Sequence, residues 1–264
     1  MTLDLTGKTA LVTGAGSGLG RHVAIGLAKC GARLALVGRQ EGPIAETARA
    51  IREFGGAAVA LPCDVSRIEA VENLKARVEQ ELAPPQILIN AAGVFGPIQM
   101  VGASDPKRWI ETLMINTVGP YLTCRAFVGG MIELGWGRII NFSSAASLHP
   151  PGPLNSAYGT SKVALNQFTR HLAAELAGTQ VTANVIHPGE VKTEMWAAIR
   201  DESLSAGAAG ESHRDWAAFV AKTGGDDPQK ALELILELLG ENSLGIHGRF
   251  LWIKGGLQTP LASW

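Results

Sequence analysis

The chain has 264 residues, 46% of them hydrophobic and 18% charged, and its formal net charge at pH 7 is −1. This length fits one large α/β domain, and the apolar content suffices for a sheet that is covered on both faces. The near-neutral charge and the lack of a basic block exclude electrostatic attraction to nucleic acid or to an anionic membrane as the basis of function. No apolar run approaches about 18 residues, so we expect a soluble, cytoplasmic protein.

Short apolar runs alternate with helical patterns along the chain. The runs predicted to be strands are residues 9–13, 33–37, 57–61, 87–90, 138–142, 181–186 and 249–253. The segments predicted to be helices are 19–29, 43–54, 67–82, a long helix that begins after Asp105-Pro106 and continues past Asn116, 158–176 and 228–239. This alternation predicts right-handed crossovers and a parallel seven-stranded sheet. No repeat or linker interrupts it, so residues 1–264 are predicted to form a single domain.

A glycine-rich segment, Thr13-Gly-Ala-Gly-Ser-Gly-Leu-Gly20, joins the first predicted strand to the first helix. Glycines let the backbone approach a ligand closely, and the N-terminus of a helix offers free N–H groups to an anion. Such a segment can also be only a tight turn. Its place between a strand and a helix favours a phosphate-binding turn, formed by Gly14, Ser17, Gly18, Leu19 and Gly20.

Tyr158 and Lys162 lie four residues apart at the start of the predicted helix 158–176, so their side chains share one face. A cation beside a phenol lowers the pKa of the phenol from about 10 towards working pH. Tyr158 would then be a usable general acid and base. The same pair also occurs on many solvated helix faces, so it does not identify a site by itself.

The glycine segment and Tyr158-Gly-Thr-Ser-Lys162 together resemble the short-chain dehydrogenase/reductase family of the 250-residue type. Asp64-Val65 after the third strand resembles the pair that contacts adenine in that family. Asn90-Ala-Ala-Gly93 is similar to the family's NNAG motif, with Ala91 in place of the second asparagine. Pro188-Gly-Glu-Val-Lys-Thr193 matches the segment that holds the nicotinamide end. The resemblance covers nearly the whole chain.

The resemblance implies a Rossmann-like, doubly wound α/β fold and an oxidoreductase with four catalytic residues. Tyr158 would be the acid/base, and Ser144, which aligns by counting from Gly137, would hydrogen-bond the substrate oxygen. Lys162 would lower the pKa of Tyr158 and hold the nicotinamide ribose. Asn116 would position a water or tie down a bend at Gly119-Pro120. The residues expected to bind the cofactor are Gly14, Ser17, Gly18, Leu19, Gly20, Arg39, Asp64, Val65, Asn90, Ala91, Gly93, Tyr158, Lys162, Pro188, Gly189, Val191 and Thr193. No metal is expected.

The end of the second predicted strand indicates which cofactor is used. Dehydrogenases that use NAD place an acid there, whereas this chain has Gly38 followed by Arg39. A guanidinium can pair with a 2′-phosphate, and no carboxylate repels it. NADP(H) is therefore the expected cofactor, with NAD as the other possibility, although Arg39 could also be simply solvated.

The substrate is expected to be a small-molecule ketone or secondary alcohol, with sugars and polyols included. The rival class is the 3-oxoacyl-carrier-protein reductases, which need basic residues near the site to dock an acidic carrier. The matching stretches here, Gly135-Trp136 and Gly178-Thr179, carry no cation. A non-catalytic NADP-binding sensor is the other alternative, but it would not need all four catalytic residues.

Two further expectations concern the surface. Residues 194–225 are predicted to be an irregular lid over the substrate, although their aromatic side chains could also only anchor the segment.

The resemblance implies a homodimer or homotetramer, joined through the helices after the fourth and fifth strands. The last strand departs from the family pattern, because Arg249 lies in it and Lys254 stands where an acid is usual. These changes could alter a subunit interface.

Overall fold

The computed structural model, which describes residues 3–253 and the backbone of 256–258, places eight strands of those residues in one sheet. The strands are β1 (Thr9–Thr13), β2 (Arg33–Gly38), β3 (Ala58–Pro62), β4 (Ile87–Asn90), β5 (Gly137–Phe142), β6 (Val181–His187), β7 (Phe250–Trp252) and β8 (Gly256–Gln258). Their order in the sheet is β3-β2-β1-β4-β5-β6-β7-β8. The first seven strands are parallel, which confirms the predicted doubly wound Rossmann-like sheet. β8 pairs antiparallel with β7 and was not predicted.

Helices cover both faces of the sheet. They are α1 (Gly18–Lys29), α2 (Glu41–Glu53), α3 (Ile68–Glu81), α4 (Pro106–Leu113), α5 (Gly119–Glu133), α6 (Ser156–Glu175), α7 (Glu194–Ser203), α8 (Glu211–Thr223) and α9 (Pro228–Leu239). Val12 of β1 packs in one core cluster with α1, α2 and α9, while its neighbour Leu11 packs in the other with α3, α5 and α6. Successive strand residues point to opposite faces. Burial on both faces therefore explains why the strands read as continuous apolar runs.

The long helix predicted after Asp105 is interrupted. α4 ends at Leu113, and one wider helical turn, Met114–Val118, precedes α5. Wide turns of this kind are frequent at functional sites, and this one contains Asn116. Gly119 follows it because there is no room for a larger residue: a Cβ there would lie 2.9 Å from Val65 Cγ2.

Residues 194–225 are largely helical, so the prediction of an irregular segment is wrong. α7 and α8 are joined by a distorted helical turn over Leu204–Gly210. Trp196 is buried, and its indole N–H donates a 3.1 Å hydrogen bond to the Ala217 carbonyl, which ties α7 to α8. Gly207, which has a φ of +58°, interrupts the helical conformation between them, so the segment has no single continuous helical pattern in the sequence. Their role as a lid stays a prediction.

The last strand is shorter than predicted. β7 comprises Phe250–Trp252, so Arg249 lies just before it and is exposed. Lys254 lies outside the described residues. Among the helices of the described part of the chain, none has the length and apolar character needed to cross a membrane.

Candidate active site

A cavity of about 760 Å³ opens at the carboxyl ends of the parallel strands. Its walls come from the glycine turn after β1, the segments that follow β4, β5 and β6, the start of α6, and helices α7 and α8. In doubly wound sheets, ligands bind at this edge, near the point where the strand order reverses. Here the order reverses between β1 and β4, so the cavity lies where a dinucleotide would be expected.

The glycine turn is shaped for close approach of a ligand. Gly14 has a φ of +67°, and a Cβ on it would lie 2.9 Å from the Ala92 backbone. A Cβ on Gly20 would collide with the Gly14 carbonyl oxygen. Ser17 precedes α1 in an extended conformation, and its side chain makes no capping hydrogen bond. The first-turn N–H groups of α1 are therefore suited to the pyrophosphate of a dinucleotide.

Three of the four predicted catalytic residues line this same cavity. Tyr158 and Lys162 lie on the first turns of α6, and Ser144 follows β5. Ser144 lies near enough to the Tyr158 hydroxyl to influence its pKa. The Lys162 Nζ lies 5.5 Å from the centre of the Tyr158 ring and donates a 2.7 Å hydrogen bond to the Phe142 carbonyl. The structure thus brings the phenol, the hydroxyl and the ammonium together on one wall.

Burial dominates the electrostatics of this wall. It raises the pKa of Tyr158, and the neighbouring Ser144 hydroxyl acts in the opposite direction. Burial also lowers the pKa of Lys162 to about 8, because an ammonium loses its hydration there. The expectation that Lys162 lowers the pKa of Tyr158 below its usual value is therefore wrong for this structure, in which desolvation of the phenol is the larger effect.

The two adjacent serines after β5 have different surroundings. Ser143 is buried, and its hydroxyl donates a 2.6 Å hydrogen bond to Asn166 Oδ1. Ser144 Oγ accepts a 3.2 Å hydrogen bond from the Ala146 N–H and lies beside Tyr158. Ser144 is therefore the serine placed to reach a substrate oxygen.

Asn116 is fully buried and clamps the segment that follows β4. Its Nδ2 donates to the Val94 carbonyl at 2.8 Å and to Ser161 Oγ at 3.0 Å, and its Oδ1 accepts from the Val94 N–H at 2.9 Å. A Cβ on Gly93 would lie 3.3 Å from Asn116 Oδ1 and 3.7 Å from Lys162 Nζ. The suggested role in tying down the Gly119-Pro120 bend is wrong, since the partners are Val94 and Ser161. The proposed water link stays a prediction.

Most residues predicted to bind the cofactor line the cavity. They are Gly14, Ser17, Gly18, Leu19, Gly20, Ala91, Gly93, Tyr158, Lys162, Pro188, Gly189, Val191 and Thr193. The glycine turn and the segment after β6 meet directly: a Cβ on Gly18 would lie 3.2 Å from Thr193 Cγ2. These two segments therefore form one continuous surface.

Four predicted cofactor residues lie outside that lining. The expectation that Asn90 binds the cofactor is corrected for its side chain, which is used inside the core. Its Nδ2 donates to Asn141 Oδ1 at 2.9 Å, and its Oδ1 accepts from Thr123 Oγ1 at 2.8 Å. Asp64 accepts hydrogen bonds from the N–H and hydroxyl of Ser66 before α3, and Val65 is buried. Arg39 is exposed at the edge of the sheet and forms a 3.4 Å ion pair with Glu111.

Several cavity residues were not recognised in the sequence. Phe95 stacks on the Tyr158 ring with centroids 4.6 Å apart. Arg108 on α4 and Glu202 on α7 form a two-bond ion pair at 2.9 and 2.8 Å. Neither feature carries a motif, because each depends on contacts between residues far apart in the chain.

Comparison with known proteins agrees with this architecture. The chain matches the family model described as short chain dehydrogenase over residues 8–204. A short chain dehydrogenase of Pseudocercospora fijiensis is 38% identical over 196 residues, which are 74% of this chain and 63% of that protein. The galactitol 2-dehydrogenase (L-tagatose-forming) of Cereibacter sphaeroides is 33% identical over 254 residues, 96% of this chain and 95% of that protein.

Solved structures extend the likeness to three dimensions. An actinorhodin polyketide ketoreductase variant solved with NADPH has a TM-score of 0.84 and 30% sequence identity, over 93% of this chain and 95% of that one. The chain is a member of the short-chain dehydrogenase/reductase family.

Proposed function

We propose that this protein is an NADP(H)-dependent oxidoreductase that interconverts a small-molecule ketone and a secondary alcohol. The observation that carries the proposal is that Tyr158, Ser144 and Lys162 line the same cavity as the glycine turn. A proton donor is thus held within the space that also offers a dinucleotide-binding surface. The relatives named as dehydrogenases and ketoreductases support the reaction class.

Each residue of the wall has a distinct task. When bound, the nicotinamide supplies or accepts the hydride. The Tyr158 hydroxyl gives a proton to the substrate oxygen in reduction and takes one in oxidation. Its raised pKa keeps the phenol protonated at neutral pH, which suits reduction. Ser144 donates a hydrogen bond that orients the same oxygen.

Lys162 and Asn116 support the reacting groups. An ammonium has three donors, and Lys162 uses one of them on the Phe142 carbonyl. The other two are available for the ribose hydroxyls and for a water that relays protons to Tyr158. Asn116 bonds both Val94 and Ser161, so it fixes the segment after β4 against α6 beside Lys162.

Arg39 is the residue that would select NADP(H). The Ala15 N–H donates a 3.1 Å hydrogen bond to the Val37 carbonyl, so the glycine turn lies against the end of β2, two residues before Arg39. The ion pair between Arg39 and Glu111 is 3.4 Å long, with side chains 56% and 54% exposed. Exposed pairs of this kind contribute little, so a 2′-phosphate can displace the carboxylate.

The cofactor choice is tested by measuring Kd for NADPH and NADH. Arg39→Ala should weaken NADPH binding by about 10- to 100-fold, the value of a charge-assisted contact, and should leave NADH binding unchanged. Arg49→Ala is the matched control, because Arg49 is exposed and pairs only within α2, with Glu53 at 3.8 Å. A wild-type preference for NADH, or an Arg39→Ala variant with unaltered NADPH affinity, would contradict the proposal.

The carrier-linked reductase remains the second candidate, and the ketoreductase neighbour favours it. The contacts of two arginines near the cavity favour a free substrate. Arg108 forms a two-bond ion pair with Glu202, whereas the exposed pair between Arg200 and Asp201 contributes little and leaves Arg200 available. Arg214 donates hydrogen bonds to the carbonyls of Ser203 and Gly207. An acidic carrier would have to compete with these contacts.

We also propose that the protein is a homodimer or homotetramer joined through α4, α5 and α6. On these helices, several apolar side chains are buried in the monomer core: Leu122, Phe127, Leu165 and Leu172. Other apolar side chains of these helices are exposed instead: Ile110, Tyr121, Ile132 and Val163. An exposed apolar surface of this kind is suited to a partner subunit.

Assembly is tested by light scattering at micromolar concentration. The wild type should have the mass of a dimer or tetramer, and Tyr121→Arg should shift it towards the monomer by burying an unpaired charge. Phe219→Arg is the control, since Phe219 is also an exposed aromatic residue, at 54% against 45% for Tyr121, but lies on α8. A monomeric wild-type protein would show that this interface is wrong.

A further inference from the structure

The part of the cavity next to Tyr158 is apolar. Phe95 covers one face of the Tyr158 ring. Beyond it, Ile98 and Ile199 are buried in a small cluster to which Phe95, Met195 and Trp216 also belong. All five of these side chains line the cavity. We call them the apolar wall.

The charged groups beside the apolar wall neutralise one another. The two terminal guanidinium nitrogens of Arg108, Nη1 and Nη2, donate to the Glu202 carboxylate. This carboxylate also accepts a 3.2 Å hydrogen bond from the Ile98 N–H. His213 lies edge-on to Phe95 at 5.9 Å, and burial lowers the pKa of His213, so its ring is neutral at pH 7. Arg108 and Glu202 therefore satisfy each other's charge, so neither is free to pair with a charged substrate.

We propose that the substrate is a neutral ketone, or the corresponding secondary alcohol, whose reacting carbon belongs to or adjoins an aromatic or alicyclic ring. The ring packs against the apolar wall while its oxygen meets Tyr158 and Ser144. This inference rests on the proposed function and narrows its substrate class. In reduction, NADPH would supply the hydride to the carbonyl carbon and be left as NADP⁺, while Tyr158 would give its proton to the carbonyl oxygen and regain one from solvent, so that a secondary alcohol is formed.

The apolar wall discriminates against polyols for a physical reason. Each hydroxyl that is moved from water to an apolar surface without a partner loses its hydrogen bonds with water, at about a tenfold loss in affinity or more. A ketohexose has several such hydroxyls. A ring of carbon atoms has no hydrogen bonds with water to lose, and the burial of its apolar surface favours binding. The galactitol dehydrogenase relative therefore shares the reaction class, while this cavity favours a different substrate.

The test compares kcat/KM with NADPH for three sets of substrates. They are cyclic ketones such as cyclohexanone and 2-tetralone, the ketohexoses L-tagatose and L-sorbose, and a carrier-linked 3-oxoacyl thioester. The cyclic ketones should exceed the ketohexoses by about 100-fold or more, as expected from two or more unpaired hydroxyls. NADPH binding is measured separately by fluorescence.

Variants locate the effect in the apolar wall. Trp216→Ala should raise KM for 2-tetralone at least about tenfold and should raise KM for butanone by less, because butanone is too small to cover the wall. Met195→Gln, nearly equal in size but polar, should lower kcat/KM for the cyclic ketones specifically, and it provides the test if Trp216→Ala does not fold. Phe219→Ala is the control, because Phe219 lies on the same helix as Trp216 but is 54% exposed and is not part of the cavity.

The outcomes distinguish a failure of the ring-ketone inference from a failure of the proposed oxidoreductase function. Higher kcat/KM for the ketohexoses or for the carrier-linked thioester would overturn the ring-ketone inference and leave the proposed oxidoreductase standing. NADPH binding without oxidation by any of the three sets would overturn both. Equal loss of butanone and 2-tetralone turnover in Trp216→Ala and Met195→Gln would show that the wall has only a structural role.

Discussion

Replacing Tyr158 by phenylalanine is expected to lower kcat by about 10²- to 10⁴-fold, the usual contribution of a positioned proton donor. Only the hydroxyl is lost, so the ring can still stack on Phe95, as it does in the wild type at 4.6 Å. NADPH affinity should therefore stay within about twofold of wild type, since an interaction of the transition state alone has been removed. Single-turnover kinetics and fluorescence titration measure the two quantities independently.

The chain offers a natural control for this substitution. It has two tyrosines, and the other one, Tyr121, is exposed on α5 and contacts Phe168 edge-on at 5.8 Å. Tyr121→Phe removes a phenol of the same type far from the cavity and should leave kcat unchanged. If Tyr158→Phe retained most of the activity on a true substrate, Tyr158 would not be the acid/base.

Replacing Lys162 by methionine is expected to stabilise the protein while abolishing its activity. Burial lowers the pKa of Lys162 from its usual 10.5 to about 8. The difference corresponds to about 3 kcal/mol, at 1.36 kcal/mol per pH unit. Loss of the hydrogen bond to the Phe142 carbonyl offsets about 1 kcal/mol of this. The variant should gain about 1–2 kcal/mol in the free energy of unfolding at pH 7.

The sign of the pH dependence follows from the direction of the shift. Between pH 8 and 10.5 the unfolded chain still holds the proton that the folded protein has released, so the wild type becomes more stable as pH rises through this window. Below pH 8 Lys162 is charged in the folded protein, and the burial of its ammonium lowers the free energy of unfolding by the full amount. Lys162→Met should lack this rise, because methionine does not titrate.

Denaturant unfolding of the protein without cofactor at pH 7, 9 and 10 measures this effect. Lys75→Met is the control, because Lys75 is about half exposed on α3 and its ion pair with Glu79 is long, at 4.0 Å. It should change stability by less than about 0.5 kcal/mol. A Lys162→Met variant that is less stable than wild type at pH 7, or that keeps the rise with pH, would contradict the inferred cost of burial.

The same variant should bind NADPH more weakly, since the ammonium that would hold the ribose is gone. Gained stability with lost function is the pattern expected where a group is kept at a site for its chemistry at the expense of folding. Together, the unfolding and binding measurements distinguish a lysine kept for its chemistry from one that only fills space. In the second case, replacing the lysine would lower the stability of the protein.

Local chemistry in the sequence was sufficient to predict the sheet and much of the cavity. The runs 9–13 and 87–90 are apolar throughout because both faces of the sheet are buried, and their boundaries agree with β1 and β4. The glycines after β1 show a tight strand-to-helix turn, since a Cβ on Gly14 or Gly20 would meet backbone atoms. The spacing of Tyr158 and Lys162 placed both side chains on one face of α6. Each of these inferences involves residues that are close in the chain.

The tertiary structure alone decided which groups pair and which are desolvated. Glu202 meets Arg108 across 94 residues, and Asn90 meets Asn141 across 51 residues, which removes its side chain from the cavity. No periodicity encodes such contacts, because they depend on how the loops after different strands converge. The pKa of Tyr158 was misjudged for the same reason: the effect of Lys162 can be inferred from a spacing of four residues, but desolvation depends on every group that packs around the phenol.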